Sequence, residues 1–178
     1  MRIFPPPSRH TAARRRPRLD GKLVTDAPCR IRPAQAADLP ALVALERSVF
    51  TDPWSHGDFA ECLHSRIATR VAEMASDLVG YIVGRFVVNE AEILNLGVGP
   101  RARRRGVARA LVRDLLAAFA GSGVRSVFLE VRQSNLPALA LYQSFGFRAV
   151  AKRPRYYRRP VEDAVVLRAD IMLDPHSA

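Results

Sequence analysis

A chain of 178 residues and 19.7 kDa is one ordinary domain, or one domain with a tail, and at that length it can fold without a disulfide or metal staple. Hydrophobic residues at 48% and charged residues at 25% exclude a globally disordered chain. The net charge of +11 asks for an anionic partner, which could be nucleic acid, a phosphorylated cofactor or an acidic surface.

Of the 28 basic residues, Lys22 and Lys152 are the two lysines and the other 26 are arginines. GC-rich coding produces the same bias, so arginine content alone is weak evidence for nucleic acid. Cys29 and Cys62 form no C-x-x-C pair, and Pro5-Pro6-Pro7 interrupts any apolar leader. No apolar run approaches the ~18 residues of a membrane span. The expectation is a cytoplasmic chain with reduced thiols and no membrane partner.

Residues 1–28 carry seven basic against two acidic side chains and five prolines, including the run Arg14-Arg15-Arg16-Pro17-Arg18. They are expected to be a disordered basic tail, either an arm for RNA or a solvated extension. The folded domain is expected over 29–178, in the order β-α-α-β-β-β-α-β-α-β-β. Cys29–Arg32 reads as a strand, and Asp38 as the N-cap of a helix with Pro40 in its first turn. Leu39, Leu42, Val43, Leu45, Val49 and Phe50 give that helix one apolar stripe. Ser55 with Asp58 is a capping box opening a second helix. Strands follow over 70–74, 78–88 and 92–98, with a turn at Ser76-Asp77. Residues 105–120 form a helix with Val107, Leu111, Val112, Leu115 and Phe119 on one face, ended by Gly121 and Gly123. A strand over 124–131, a helix over 135–145 closed by Gly146, and strands over 147–151 and 164–173 complete the domain.

The most informative stretch is a strand ending Leu96-Gly97-Val98, a turn Arg103-Arg104-Arg105-Gly106, and a helix beginning Val107-Ala108-Arg109. A helix N-terminus presents unpaired N–H groups and the positive end of its dipole. Five arginines with no acid among them surround it, so the turn is an anion cradle. It lacks the G-K-[ST] of a P-loop and the three glycines of a dinucleotide fingerprint.

Arg103-x-x-Gly106-x-Ala108 resembles the pyrophosphate turn of the GCN5-related N-acetyltransferases, the GNAT superfamily. Leu129-Glu130-Val131-Arg132, Ser134-Asn135 and Ala140-Leu141-Tyr142-Gln143-Ser144-Phe145-Gly146-Phe147 resemble the second half of that family's cofactor site. Trp54-Ser55, Glu92-Ile93-Leu94-Asn95 and Arg155-Tyr156-Tyr157 with Glu162-Asp163-Ala164 narrow the likeness to the ribosomal-protein alanine N-acetyltransferases, the RimI type. The resemblance implies a single α/β acyl-CoA N-acyltransferase domain. Its sheet would be mixed, mostly antiparallel and flanked by helices, with two parallel strands splayed at the cofactor site. The implied co-substrate is acetyl-CoA, with no metal.

The resemblance makes Glu130 the general base and Tyr142 the general acid to the departing thiolate. Read from the residues alone, Glu130 could equally be an outward glutamate paired with Arg132, and Tyr142 a core aromatic. The cofactor would contact Leu96, Gly97 and Val98, the turn and helix start from Arg103, Arg104, Arg105, Gly106 and Val107 to Ala108 and Arg109, and Asn135 and Tyr142. Gly97 departs from the alanine or other small apolar residue usual in the family and suggests a bulge. Trp54, Ser55, Tyr156 and Tyr157 would frame the acceptor. The implied acceptor is the N-terminal alanine of a small-subunit ribosomal protein. A lysine or small-amine acceptor, or an inactive ribosome-binding module, are the alternatives. Arg148, Lys152, Arg153, Arg155, Arg158 and Arg159 form a second basic run, suited to an acidic acceptor or to nearby rRNA.

Overall fold

The computed structural model describes residues 29–65 and 67–171, so the reading of 1–28 as a basic tail concerns residues outside those described. The elements are β1 (Arg30–Pro33), α1 (Leu39–Val49), α2 (His56–His64), β2 (Ala68–Met74), β3 (Asp77–Val87), β4 (Glu90–Val98), α3 (Val107–Gly121), β5 (Ser126–Arg132), α4 (Leu136–Gln143), β6 (Arg148–Arg158) and β7 (Val161–Asp170). Seven strands form one sheet in the order β1-β2-β3-β4-β5-β7-β6. Every pair is antiparallel except β4 with β5, which is parallel.

Helical apolar stripes decide which face each helix covers. On α3 the expected five, Val107, Leu111, Val112, Leu115 and Phe119, are each no more than 1% exposed and pack with Ile82, Ile93 and Leu129 of the sheet. Truncating Leu111 or Leu115 to alanine would cost about 2–5 kcal/mol. Tyr142 of α4 joins that same core. Helices α1 and α2 cover the opposite face through Leu42, Val43, Phe59 and Cys62, against Val71, Tyr81 and Val83. The α1 stripe also includes Glu46, 1% exposed, while Phe50 is its exposed C-cap rather than core.

Several local expectations are revised. Asp38 stands at the N-cap of α1 but makes no cap bond. Its carboxylate accepts from Gln35 N at 2.7 Å and from both terminal nitrogens of Arg32, whose Nε also reaches Glu73 at 2.9 Å. The β2–β3 turn falls at Ala75-Ser76, both with positive φ, one residue before the expected position. Strand β6 continues to Arg158, far beyond Ala151. Lys152-Arg153-Pro154-Arg155 has no apolar alternation to signal a strand. Lys152 and Arg153 pair with Val165 and Ala164 of β7, and Pro154 falls in the register break between Arg153 and Tyr157 on this edge strand, where it is tolerated.

The bulge expected at Gly97 lies at Leu94 instead. Val83 pairs with Asn95 and Gly84 with Ile93, so Leu94 is the extra residue. The extra residue reverses the alternation of side chains along β4. Ala91 and Ile93 face α3 before it, and Leu96 and Val98 do so after it. Asn95 and Gly97 are thereby turned to the α1 face. Gly97 sits opposite Tyr81, and a Cβ there would lie 2.5 Å from Tyr81 Cε1. Glycine is needed because the tyrosine ring occupies the space of any side chain.

Candidate active site

Strands β4 and β5 pair from Glu90 with Ser126 to Ile93 with Leu129, and then separate. Beyond that point β4 keeps only β3, and β5 keeps only β7. Gly99 N bonds Val79 O at 2.9 Å, on the β3 side. By strand alternation the N–H and C=O groups of Leu96 and Val98 turn toward the gap, and those of Gly97 toward β3. Val98 O accordingly accepts from Arg103 Nε at 3.2 Å, outside the ladder. The gap opens into a cavity of about 610 Å³.

At one end of the gap lies the basic turn. Gly106 is the N-cap of α3 in the left-handed region, φ 79°, and Arg104 is also left-handed, φ 61°. Apart from its adjoining residues, nothing lies within 4 Å of where a Gly106 Cβ would be, so the turn is open on that side. Ala110 N bonds Gly106 O at 2.9 Å, which leaves the N–H groups of Val107, Ala108 and Arg109 ahead of the helical ladder. Arg109 places its guanidinium 5.6 Å from the Phe145 ring centroid, spanning the groove from α3 to the segment closing α4. Arg105 lines a separate cavity of about 430 Å³, together with Leu45, Met74 and Val79.

The other wall comes from β5 and α4. Asn135 caps α4, its Oδ1 accepting from Ala138 N at 3.2 Å, and also lines the cavity. Tyr142 is 5% exposed, sits edge-on to Phe147 at 5.6 Å and lines the same cavity, so it is core aromatic and site residue at once. Burial raises its pKa well above the ordinary tyrosine value, so it stays a proton donor at neutral pH. Glu130 lines the cavity one residue beyond the point where the strands part.

Glu130 does not pair with Arg132. Its Oε1 lies 2.9 Å from Arg153 on β6, and it hydrogen-bonds the Tyr156 hydroxyl, which raises the tyrosine's pKa. Arg132 pairs with Glu162 at 3.2 Å and stands 4.0 Å from the Tyr157 ring centroid. Burial, the largest cause, pushes Tyr157 up to about 12. Glu162 also accepts from Ser134 N at 2.6 Å, which holds its carboxyl below the usual range and ties the β6–β7 hairpin to the start of α4.

Among the expected acceptor residues, Trp54, Tyr156 and Tyr157 line the cavity. Ser55 is not among the lining residues. Its hydroxyl caps α2, accepting from Asp58 N at 3.2 Å, while Asp58 accepts from Ser55 N at 2.6 Å. Sequence reasoning missed Glu46, Asp52 and Asn95, all on the cavity wall, and the Arg153 contact. The signal for Glu46 was a carboxylate four residues after Leu42, on an apolar helical stripe. Among the described residues no group of three or more His, Cys, Asp or Glu could hold a metal ion, and no helix is long and apolar enough to cross a membrane.

The acetyltransferase (GNAT) family profile matches residues 39–147, which span α1 through the close of α4. This chain belongs to the GNAT family. It is an acetyl-CoA-dependent N-acetyltransferase. It is 42% identical over 141 residues to the N-alpha-acetyltransferase RimI of Mycobacterium tuberculosis, covering 75% of this chain and 87% of that protein. It is 32% identical over 141 residues to the [ribosomal protein bS18]-alanine N-acetyltransferase of Escherichia coli strain K12, covering 78% of this chain and 95% of that one. The crystal structure of the Escherichia coli ribosomal-protein-S18-alanine N-acetyltransferase superposes with a TM-score of 0.78 at 30% identity, over 85% of this chain and 99% of that one. Arabidopsis thaliana NAA60, solved in complex with acetyl-CoA, shares the fold at a TM-score of 0.74 and 23% identity.

Proposed function

We propose that the enzyme acetylates the α-amine of an N-terminal alanine on a small-subunit ribosomal protein, in the cytoplasm. The observation that carries this reading is that Glu130 and Tyr142 approach one cavity from adjacent elements, where β4 and β5 part. Two relatives at 32% and 42% identity bear names for N-terminal acetylation, one of them of bS18 alanine.

The steps follow from these positions. The diphosphate of acetyl-CoA lies at the start of α3, where Gly106 gives close approach and Arg103, Arg104 and Arg109 supply charge. Its acyl arm runs along β4. The amides of Leu96 and Val98, free of a strand partner on that side, donate to it and polarise the thioester carbonyl. The acceptor enters between Trp54 and the Tyr156-Tyr157 segment, and its ammonium is drawn by Asp52 and Glu130 on the cavity wall. An α-amine has a pKa near 8, so roughly a tenth is already neutral at pH 7. Glu130 takes the remaining proton, directly or through one water. The neutral amine attacks the carbonyl carbon, the attached nitrogen releases its second proton to water, the C–S bond breaks, and Tyr142 gives its proton to the leaving thiolate and regains one from solvent.

The exposed cations Arg155, Arg158 and Arg159 flank the acceptor entrance and suit a ribosomal setting rich in phosphate. Mass spectrometry of protein N-termini, from cells with and without the gene, tests the reading. Loss of acetyl from an alanine-initiated ribosomal protein supports it. Loss confined to lysine side chains overturns it.

A further inference from the structure

The buried carboxylate of Glu46 has no part in the steps above. It sits on α1, 1% exposed, and its carboxylate bonds residues outside that helix. Its Oε1 accepts from Trp54 N at 3.0 Å and from Asn95 Nδ2 at 3.2 Å. Its Oε2 accepts from the Tyr81 hydroxyl. Tyr81 is itself fully buried, lies across Gly97, and meets Phe59 edge-on at 5.3 Å. Phe59 in turn packs on Trp54 at 5.5 Å.

A carboxylate out of water is costly unless its oxygens are satisfied. An apolar side chain would fill the same place on the α1 stripe at no such cost. What only the carboxylate does is hold two walls at once. Trp54 N ends the Phe50–Trp54 loop on the acceptor side. Asn95 immediately precedes Leu96, whose amide faces the gap on the cofactor side. Tyr81 closes the unit, and its ring reaches Glu46 only because Gly97 leaves room beneath it.

We propose that Glu46, with Tyr81 and Asn95, is a positioning residue that locks the Trp54 loop to β4 and so sets the acceptor slot relative to the thioester. Tyr81 and Gly97 are then one paired feature, since a Cβ at position 97 would meet the Tyr81 ring. The proposal rests on the assignment of the acceptor slot made above.

Trp54 is the sole tryptophan of the chain, so its emission reports on the loop without any acceptor. The experiment measures acrylamide quenching of Trp54, acetyl-CoA affinity by calorimetry, and KM and kcat on an alanine-initiated peptide. The variants are Glu46→Ala, Glu46→Gln, Tyr81→Phe and Gly97→Ala. In Glu46→Ala and Tyr81→Phe, quenching should rise and peptide KM should increase roughly tenfold, the scale of one lost charge-assisted hydrogen bond. Acetyl-CoA affinity should change less than about threefold, since the diphosphate turn is untouched. Glu46→Gln, which keeps the shape and an accepting oxygen, should restore most of the peptide KM. Gly97→Ala should displace the Tyr81 ring, and adding Tyr81→Phe to it should cost little more. Tyr81→Phe removes one hydroxyl and serves if Glu46→Ala does not fold. Unchanged quenching in a folded variant overturns the tether, and raised quenching with unchanged peptide KM overturns its role. If the wild type ignores the peptide, the acceptor assignment falls, while quenching still reads the tether.

Discussion

The two sides of the crevice are built from different material. On the cofactor side, between Leu96 and Arg109, the groups that would meet acetyl-CoA are mostly main-chain. They are the gap-facing amides of β4, the left-handed Gly106 and the first N–H groups of α3. They come from one continuous stretch of chain. On the acceptor side the groups are side chains brought from far apart. Glu46 bonds Tyr81 and Asn95 across 35 and 49 positions, and Glu130 meets Arg153 across 23. A local site of main-chain geometry resists change at all but a few positions. A site assembled from distant side chains can be retuned one residue at a time, which suits a superfamily that keeps its donor and varies its acceptor.

The sharpest way to break the cofactor side is Gly106→Glu. The residue must keep a positive φ, and its carboxylate would enter the open space at the turn where the diphosphate is proposed to lie. Acetyl-CoA binding by calorimetry should fall below detection. Arg104→Ala or Arg109→Ala should weaken it by only about 1.5–3 kcal/mol each and flatten its salt dependence. Unchanged affinity in Gly106→Glu would remove the cofactor from this turn.

Glu130→Gln tests the junction of the two sides. Turnover should fall by ~10²–10⁴ with acetyl-CoA affinity little changed, and the deficit should shrink as pH rises and more amine is neutral unaided. Tyr142→Phe should lower turnover less, by ~10² or below. Circular dichroism melts should stay close to wild type, since only a hydroxyl is removed.

Smaller again is an effect far from the crevice. Arg32 is forked between Asp38 and Glu73 and holds both carboxyls below their usual range. A depressed carboxylate adds stability above its unfolded pKa, near 4, and loses it as pH falls through the folded value. Arg32→Ala should therefore lower the melting temperature at pH 7, and its difference from wild type should shrink as acid protonates the two carboxyls. Smallest of all, deleting residues 1–28 should leave turnover on a short peptide unchanged, since none of the named site groups lies there. A truncated chain that cannot fold would move the domain boundary.

The contrast between the two sides also explains what could be read in the sequence. The order of elements, the α3 stripe and the α2 capping box follow from local periodicity and end signals, and they stand as expected. The basic turn was legible because its parts are consecutive. The bulge was misplaced because glycine at 97 is needed for Tyr81, a partner 16 positions away in sequence. The length of β6 was missed because Lys152 and Arg153 are strand only through their pairing with β7, which resumes at Tyr157 after a register break. Glu130 looked like a partner for Arg132 because i, i+2 residues share a strand face. Arg132 has Glu162 instead, and Arg153 reaches Glu130 from the edge strand.

The most direct measurement is single-turnover transfer from acetyl-CoA to an alanine-initiated peptide, set against a lysine peptide with a blocked N-terminus, in wild type and Glu130→Gln. The alanine peptide should react far faster with wild type at neutral pH, and Glu130→Gln should remove most of that advantage while still binding acetyl-CoA. A faster reaction with the blocked lysine peptide, or full activity on alanine in Glu130→Gln, would contradict an α-amine acetyltransferase working through this crevice.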